Sequence, residues 1–135
     1  MKALIVGDSC GALATVRELG RAGWTVGIGS SSRFGWAAIS RYATHWHHVP
    51  PPASDLGEFI GAINRATEKH GYEVIFGAGD AEVLALSANR EKIGPLFPCA
   101  PHPSWSVAST SWTWWKWQAR RGLPRRSRWR PARAL

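Results

Sequence analysis

The stretch "KALIVGDSCGALATVRELGRAGWTVGIG" (residues 2–29) decides the fold. It opens with a short apolar run, rich in branched side chains, that ends at Gly7, as a buried parallel strand does. Apolar side chains then recur at helical spacing, at Leu13, Val16, Leu19 and Ala22. Gly23 follows where it can end that helix, and residues 24–29 form a second strand after a tight turn. A strand–helix–strand order predicts a right-handed crossover and a parallel sheet.

The rest of the chain continues this alternation. "THWHHVP" (residues 44–50) has the composition of a third short strand, halted by a run of prolines. Ser54 or Asp55 can cap the next helix, which ends near Gly71. "YEVIFGAG" (residues 72–79) is a fourth strand, and a third helix follows directly over residues 80–93.

The expected fold class is therefore α/β, an open three-layer, Rossmann-like and mostly parallel sheet. Residues 95–103, punctuated by prolines, have room for one more short edge strand. In such sheets ligands bind beyond the carboxyl ends of the strands, near the point where the strand order reverses. Two loops qualify, "GDSCG" (residues 7–11) and "GAGDAE" (residues 77–82).

The charge of the chain is concentrated at one end. The net charge is +8 over 135 residues, yet residues 1–100 contain nine Lys/Arg and nine Asp/Glu. The other eight basic residues all lie at or after Lys116. Cys10 and Cys99 are too few for a disulfide framework, and no apolar run reaches membrane length. These features predict a cytoplasmic protein without a membrane partner.

Residues 7–11 also match the G-x-S-x-G motif, in which Ser9 would be the nucleophile of a hydrolase. That chemistry needs a downstream acid and histidine, and the only late histidine, His102, has no Asp a few residues before it. The spacing from Gly7 to Gly11 is not that of a nicotinamide dinucleotide site, and "GSSS" (residues 29–32) stands where such a site has an acidic residue. These departures count against both the hydrolase and the dinucleotide-binding interpretation.

Three histidines in "HWHH" (residues 45–48) raise the question of a metal. His45 and His47 share one face of the predicted strand, which suits a metal in principle. No Cys or carboxylate lies nearby in sequence, so no metal site is expected. Asp80 and Glu82 begin a helix, where negative charge is favoured in any case.

The order of the segments resembles the N-terminal domain of ATP-grasp ligases, in the group similar to carbamoyl-phosphate synthase and biotin carboxylase. The resemblance covers roughly residues 2–107 and is carried by residues 3–32, 40–52, 73–86 and 100–107. The family uses ATP and Mg²⁺ to form an acyl-phosphate from a small carboxylate, which a nucleophile then attacks. Its ATP-binding lobes, with their phosphate-binding lysines and metal-binding carboxylates, would lie beyond residue 135.

The resemblance implies a substrate-binding role for the two glycine-rich loops of this chain. The residues it points to are Gly7, Asp8, Ser9, Gly11, Gly79, Asp80 and Glu82. It implies no catalytic residue and no cofactor for this chain alone, because phosphoryl chemistry needs the charges of the missing lobes. The expected protein is an N-terminal ligase domain that is inactive by itself.

The remaining segment, residues 108–135, departs from the resemblance. From Ser106 onward there are five Trp, eight Lys/Arg and no acid. A shifted reading frame through Trp112–Gln118 encodes acids and apolar residues at helical spacing, so we expect a change of frame near Ala108. The alternative is a genuine tail that binds nucleic acid or an anionic surface through Arg and Trp.

Overall fold

The computed structural model describes residues 1–99, which form one parallel sheet flanked by helices. The elements are β1 (Lys2–Val6), α1 (Cys10–Arg21), β2 (Thr25–Ser30), β3 (Ala43–His48), α2 (Leu56–His70), β4 (Val74–Gly77), α3 (Asp80–Ala88) and a short 3-10 helix (Arg90–Lys92). The four strands are all parallel, in the order β3-β2-β1-β4. The predicted α/β class is confirmed.

The sheet separates two apolar cores. Because alternate side chains of a strand point to opposite faces, Leu4 and Val6 of β1 belong to one core and Ile5 to the other. Val16 of α1 covers the Ile5 face, whereas α2, with the buried Phe59, and α3 cover the Leu4 face. This gives the three layers that the alternation predicts.

The helix ends follow the sequence signals. The Asp55 carboxylate accepts the Glu58 N–H at 2.9 Å and caps α2, as expected. Gly71 closes the same helix in the left-handed conformation, with φ of 67°. Gly23, with φ of 80°, follows α1 and donates its N–H to the Gly20 carbonyl at 3.1 Å. Glycine adopts these positive φ values without the cost that a Cβ would add.

The third helix is shorter than the apolar pattern suggests. It ends at Ala88, and Asn89 follows as its C-cap, donating both its backbone N–H, at 3.2 Å, and its side-chain amide, at 3.0 Å, to the Ala85 carbonyl. Beyond it, Leu96 makes a parallel bridge with Val74 within the segment where an edge strand was suggested, and residues 100–103 of that segment lie outside the described residues.

No helix within residues 1–99 has both the length and the apolar character needed to span a membrane. The predictions that concern the segment after Cys99, among them the division of the chain at residues 107 and 108 and the role of the tail, lie outside the described residues.

Candidate functional site

A crevice of about 60 Å³ lies at the carboxyl edge of the sheet. The helix that leaves β1 leads to β2 on one side, while α2 returns the chain to β4 on the other side of β1, so the strand order reverses here. The crevice is lined by Val6, Gly7, Asp8, Gly29, Ser30, Ser31, Val49, Pro50, Pro51, Phe59 and Glu82.

Gly7 brings the loops after β1 and β4 together. Its φ of 114° is a conformation that residues with a Cβ rarely adopt. A Cβ there would lie 3.2 Å from the Ala78 Cβ and 3.5 Å from the Glu82 Cδ. Its N–H donates to the Gly29 carbonyl at 2.9 Å, which ties the β2 end to the same point. Gly7 is therefore a requirement of the backbone at the centre of the crevice.

Asp8 connects the crevice to the long loop that precedes β3. Its Oδ1 accepts the Ala37 N–H at 3.3 Å. A Cβ at the buried Gly35 would overlap the Asp8 carboxylate, so the loop backbone lies directly against it. The carboxylate thus has a structural contact besides its place in the crevice lining.

Ser9 does not line the crevice, because its hydroxyl is used within the fold. The Oγ accepts the Ala12 N–H at 3.1 Å, which caps α1, and donates to the Ala78 carbonyl at 2.9 Å. Gly11 also lies away from the lining, in the first turn of α1. The histidine that a Ser9 hydrolase would need, His102, lies outside the described residues, so that alternative stays a prediction.

Only one of the three predicted residues after β4 reaches the crevice. Glu82, half-buried in the first turn of α3, contributes to the lining. Gly79 is the N-cap of that helix, and Asp80 is its exposed first residue. Because a helix turns by about 100° per residue, Asp80 and Glu82 point in widely different directions. The loop after β4 therefore lies at the carboxyl edge of the sheet, but the side chains of Asp80 and Glu82 do not face the crevice together.

The electrostatics of the crevice were not anticipated. Among residues 1–99, Asp8 and Glu82 are the only charged side chains in its lining. An anion would meet two carboxylates without a compensating side-chain cation, so the lining favours an ammonium group or hydroxyl groups. Phosphate recognition relies on basic side chains or exposed amides, and no basic side chain within residues 1–99 lines this crevice.

Sequence reasoning missed the part of the lining that follows β2 and β3. Ser30 and Ser31 close one side, and Val49 and Pro50 close another. The Ser30 hydroxyl is buried, accepts the Trp46 indole N–H at 3.0 Å and donates to the Ser32 carbonyl at 2.8 Å. Since all carboxyl ends of parallel strands meet at one edge, these loops could have been included from topology alone.

Three histidines, His45, His47 and His70, form a cluster with Tyr72. The ring of His70, at the end of α2, lies 4.1 Å from that of His45 and 4.9 Å from that of His47. A hydrogen bond of 2.8 Å joins His47 Nε2 to the Tyr72 hydroxyl. Burial lowers the pKa of His47 to about 4 and raises that of Tyr72 to about 12. Within residues 1–99 no group of three or more His, Cys, Asp and Glu side chains could hold a metal ion.

Comparison by sequence finds no relative, since no family model and no curated protein matches the chain. Solved structures do match its fold. The biotin carboxylase domain of a single-chain bacterial carboxylase aligns with a TM-score of 0.61 at 15% identity. An L-amino acid ligase from Bacillus licheniformis aligns at 0.65 and 12%, and the ATPase subunit of phosphoribosylaminoimidazole carboxylase from Aquifex aeolicus at 0.54 and 13%.

These alignments cover 91%, 91% and 92% of this chain but only 29%, 30% and 32% of the respective structures. The chain thus spans less than a third of the length of each of these structures. At such low identity the likeness establishes the fold alone. The fold implied by the resemblance to the N-terminal domain of ATP-grasp ligases is confirmed.

Proposed function

We propose that this chain carries the substrate-side domain of an ATP-dependent carboxylate ligase of the ATP-grasp type. One observation carries the proposal: the loops after β1 and β4 meet at Gly7 and Glu82, at the strand-order reversal of a sheet shared with a biotin carboxylase domain and an L-amino acid ligase. Such a reversal is where open α/β sheets bind ligands. These are the two loops in which the sequence predicts a substrate site.

On this proposal the described domain does not catalyse the ligase reaction alone. Its crevice offers no basic side chain for phosphate, so ATP and Mg²⁺ would bind to lobes outside residues 1–99. The acyl-phosphate step belongs to those lobes. The domain would bind and orient the substrate, and a cytoplasmic location fits the two free cysteines, Cys10 and Cys99.

The charge of the crevice narrows the substrate class. Asp8 and Glu82 would attract an ammonium group, and the carboxylate to be activated would then face away from them. An amino acid combines the two groups, and one of the structural neighbours is an L-amino acid ligase. We therefore propose a carboxylic acid that also carries an ammonium group as the substrate.

Titration of the isotopically labelled chain with amino acids, each matched with the same acid lacking its amino group, tests this assignment. We expect the amino acid to shift the backbone amide signals of Gly7, Asp8 and Ser31, and the matched acid to leave them in place. Glu82→Gln should weaken the effect, whereas Glu68→Gln, an exposed acid on α2, should not. Equal shifts by both ligands, or an unchanged response in Glu82→Gln, would contradict the assignment.

The nucleotide sequence from the Ser104 codon to several hundred bases past the Leu135 codon tests the ligase itself. If the shifted frame stays open and encodes glycine-rich and lysine-bearing lobes, restoring that frame should give carboxylate-dependent formation of ADP. A stop codon within a few positions of the shifted frame would refute the frame change and leave the basic tail as authentic sequence.

A further inference from the structure

A second depression lies on the outer side of α1, against the loop that precedes β3. Its volume is about 520 Å³, and it shares no lining residue with the crevice. We call it the arginine groove. The residues that matter for its chemistry are Arg17 and Arg21 of α1 and Trp36, Ile39, Arg41 and Tyr42 of the loop.

The side chains that α1 contributes to the arginine groove are set by their spacing in the sequence. Leu13, Arg17 and Arg21 are four residues apart and therefore lie along one side of α1, beside the buried stripe of Val16. On the loop side, Tyr42 packs directly on the helix at Gly20, where a Cβ would overlap its ring. Gly20 therefore permits the close approach that forms the floor of the groove.

The arginine groove carries a positive charge that the described residues leave largely uncompensated. None of the Asp and Glu side chains of residues 1–99 lines it. Arg21 pairs with Glu18 on the same helix, but within residues 1–99 neither Arg17 nor Arg41 forms an ion pair. Arginines without a carboxylate partner are available to an anionic ligand.

The guanidinium of Arg41 is held in place before any ligand binds. It donates to the Tyr42 hydroxyl at 2.9 Å and lies 4.8 Å from the centre of that ring. This hydrogen bond is the main cause of the lowered pKa of Tyr42, and Arg21 adds to it. A fixed guanidinium loses less conformational entropy when it binds an anion.

The same groove has an apolar side. Trp36 is 69% exposed and Ile39 is 63% exposed, which is unusual for such large apolar side chains. Both belong to a single helical turn in which the Ile39 N–H donates to the Gly35 carbonyl at 3.1 Å. An exposed indole beside guanidinium groups offers a surface on which a planar ring can stack.

We propose that the arginine groove binds a phosphate ester with a planar aromatic ring, that is, a ligand of the nucleoside monophosphate class. A guanidinium group can bind phosphate through two parallel hydrogen bonds, and Trp36 would stack on the base. The volume lies within the range of small-molecule sites, whereas inorganic phosphate would fill only part of it. The basic C-terminal segment is an unsuitable occupant, because residues 106–135 contain no acid to pair with these arginines. This site is independent of the proposed ligase function.

Isothermal titration calorimetry of the full chain with AMP tests the proposal. Adenosine and inorganic phosphate are titrated in separate experiments. We expect saturable binding of AMP that is tighter than that of either fragment. Arg17→Gln and Arg41→Gln should each weaken AMP binding by about tenfold or more, the effect of losing a hydrogen bond to a charged group. Trp36→Ala should also weaken it, with a larger effect for AMP than for phosphate.

Arg33→Gln is the matched control, because Arg33 is an exposed arginine of the same loop that does not line the groove. The basic C-terminal segment is common to all variants, so non-specific attraction of anions leaves their differences unchanged. Thermal melting identifies any variant that fails to fold. Absence of saturation up to about 10 mM AMP, or an equal loss in Arg33→Gln, would overturn the proposal. Binding of an acidic peptide or an oligonucleotide that is lost in Arg17→Gln, by a chain that does not bind AMP, would also overturn the proposal. That result would assign the groove to a polyanion.

Discussion

Burial of His47 should make the folding stability sensitive to mild acid. The pKa of His47 falls from its usual 6.5 to about 4, first because the ring is buried and then because His70, His45 and Lys69 lie close to it. The unfolded chain therefore takes up the proton more readily than the folded chain. The contribution of neutral His47 to the free energy of unfolding is complete above pH 6.5. It is lost as the pH falls toward 4, since the folded state must then accept an unfavourable charge.

The size of the effect follows from the two pKa values. A difference of about 2.5 units corresponds to roughly 3.4 kcal/mol at most, at about 1.36 kcal/mol per unit. At pH 5 the calculated loss of stability is about 2 kcal/mol, because His47 is almost fully protonated in the unfolded chain and mostly neutral in the folded chain. The ring is only partly buried, so solvent screening reduces the expected loss at pH 5 to about 1 kcal/mol.

Urea unfolding at pH 7.5 and pH 5, followed by far-ultraviolet circular dichroism, measures this loss. In His47→Gln the free energy of unfolding should fall by about 1 kcal/mol less between these two pH values than in the parent chain. His48→Gln, the exposed neighbour on the other face of β3, should keep the parental pH dependence. The carboxylates, Lys2 and Lys69 are common to all three chains and cancel. An identical slope in His47→Gln and the parent chain would refute the assigned pKa.

Three further predictions use the same urea assay. Gly27→Ala should lower the free energy of unfolding by about 1–3 kcal/mol, because the new Cβ would overlap the Tyr72 hydroxyl. Gly94→Ala, with open space around the new Cβ, should change it by less than about 0.5 kcal/mol. Similar losses in the two variants would contradict the close contact between Gly27 and Tyr72. Ser9→Ala should cost about 1 kcal/mol through loss of the α1 cap, and an effect no greater than that of Ser54→Ala would show that the cap contributes nothing. Gly7→Ala should cost about 1–3 kcal/mol through its positive φ, and a neutral result would contradict the strained turn.

The sheet and its helices could be predicted because each depends on local signals. The apolar run of β1, the Asp55 cap and the left-handed Gly71 are all visible in the sequence, and each has its expected role. The end of α3 was missed, because the helix stops at Ala88 and the chain continues as a short 3-10 helix over Arg90–Lys92. Helix propensity alone does not distinguish these two kinds of helical turn.

The candidate site was predicted less completely than the fold, and the reason is geometric. A loop can be placed at the edge of the sheet from topology, but the direction of each side chain depends on how the loop leaves its strand. Ser9 turns inward to cap α1, whereas Asp8 and Glu82 remain in the lining. The His70 contact with His45 and His47 was also missed, since it joins the end of α2 to β3 and leaves no pattern in the sequence.

Asp8 and Glu82 are equivalent in charge but not in what their replacement would reveal. Asp8 lines the crevice, yet it also accepts the Ala37 N–H and so holds the loop that carries Trp36 and Ile39 of the arginine groove. A change at Asp8 therefore disturbs both surfaces, and loss of ligand binding there has two explanations. Glu82 lines the crevice and makes no contact with that loop through a hydrogen bond or ion pair within residues 1–99. Substitution of Glu82 is consequently the change that separates the crevice from the groove.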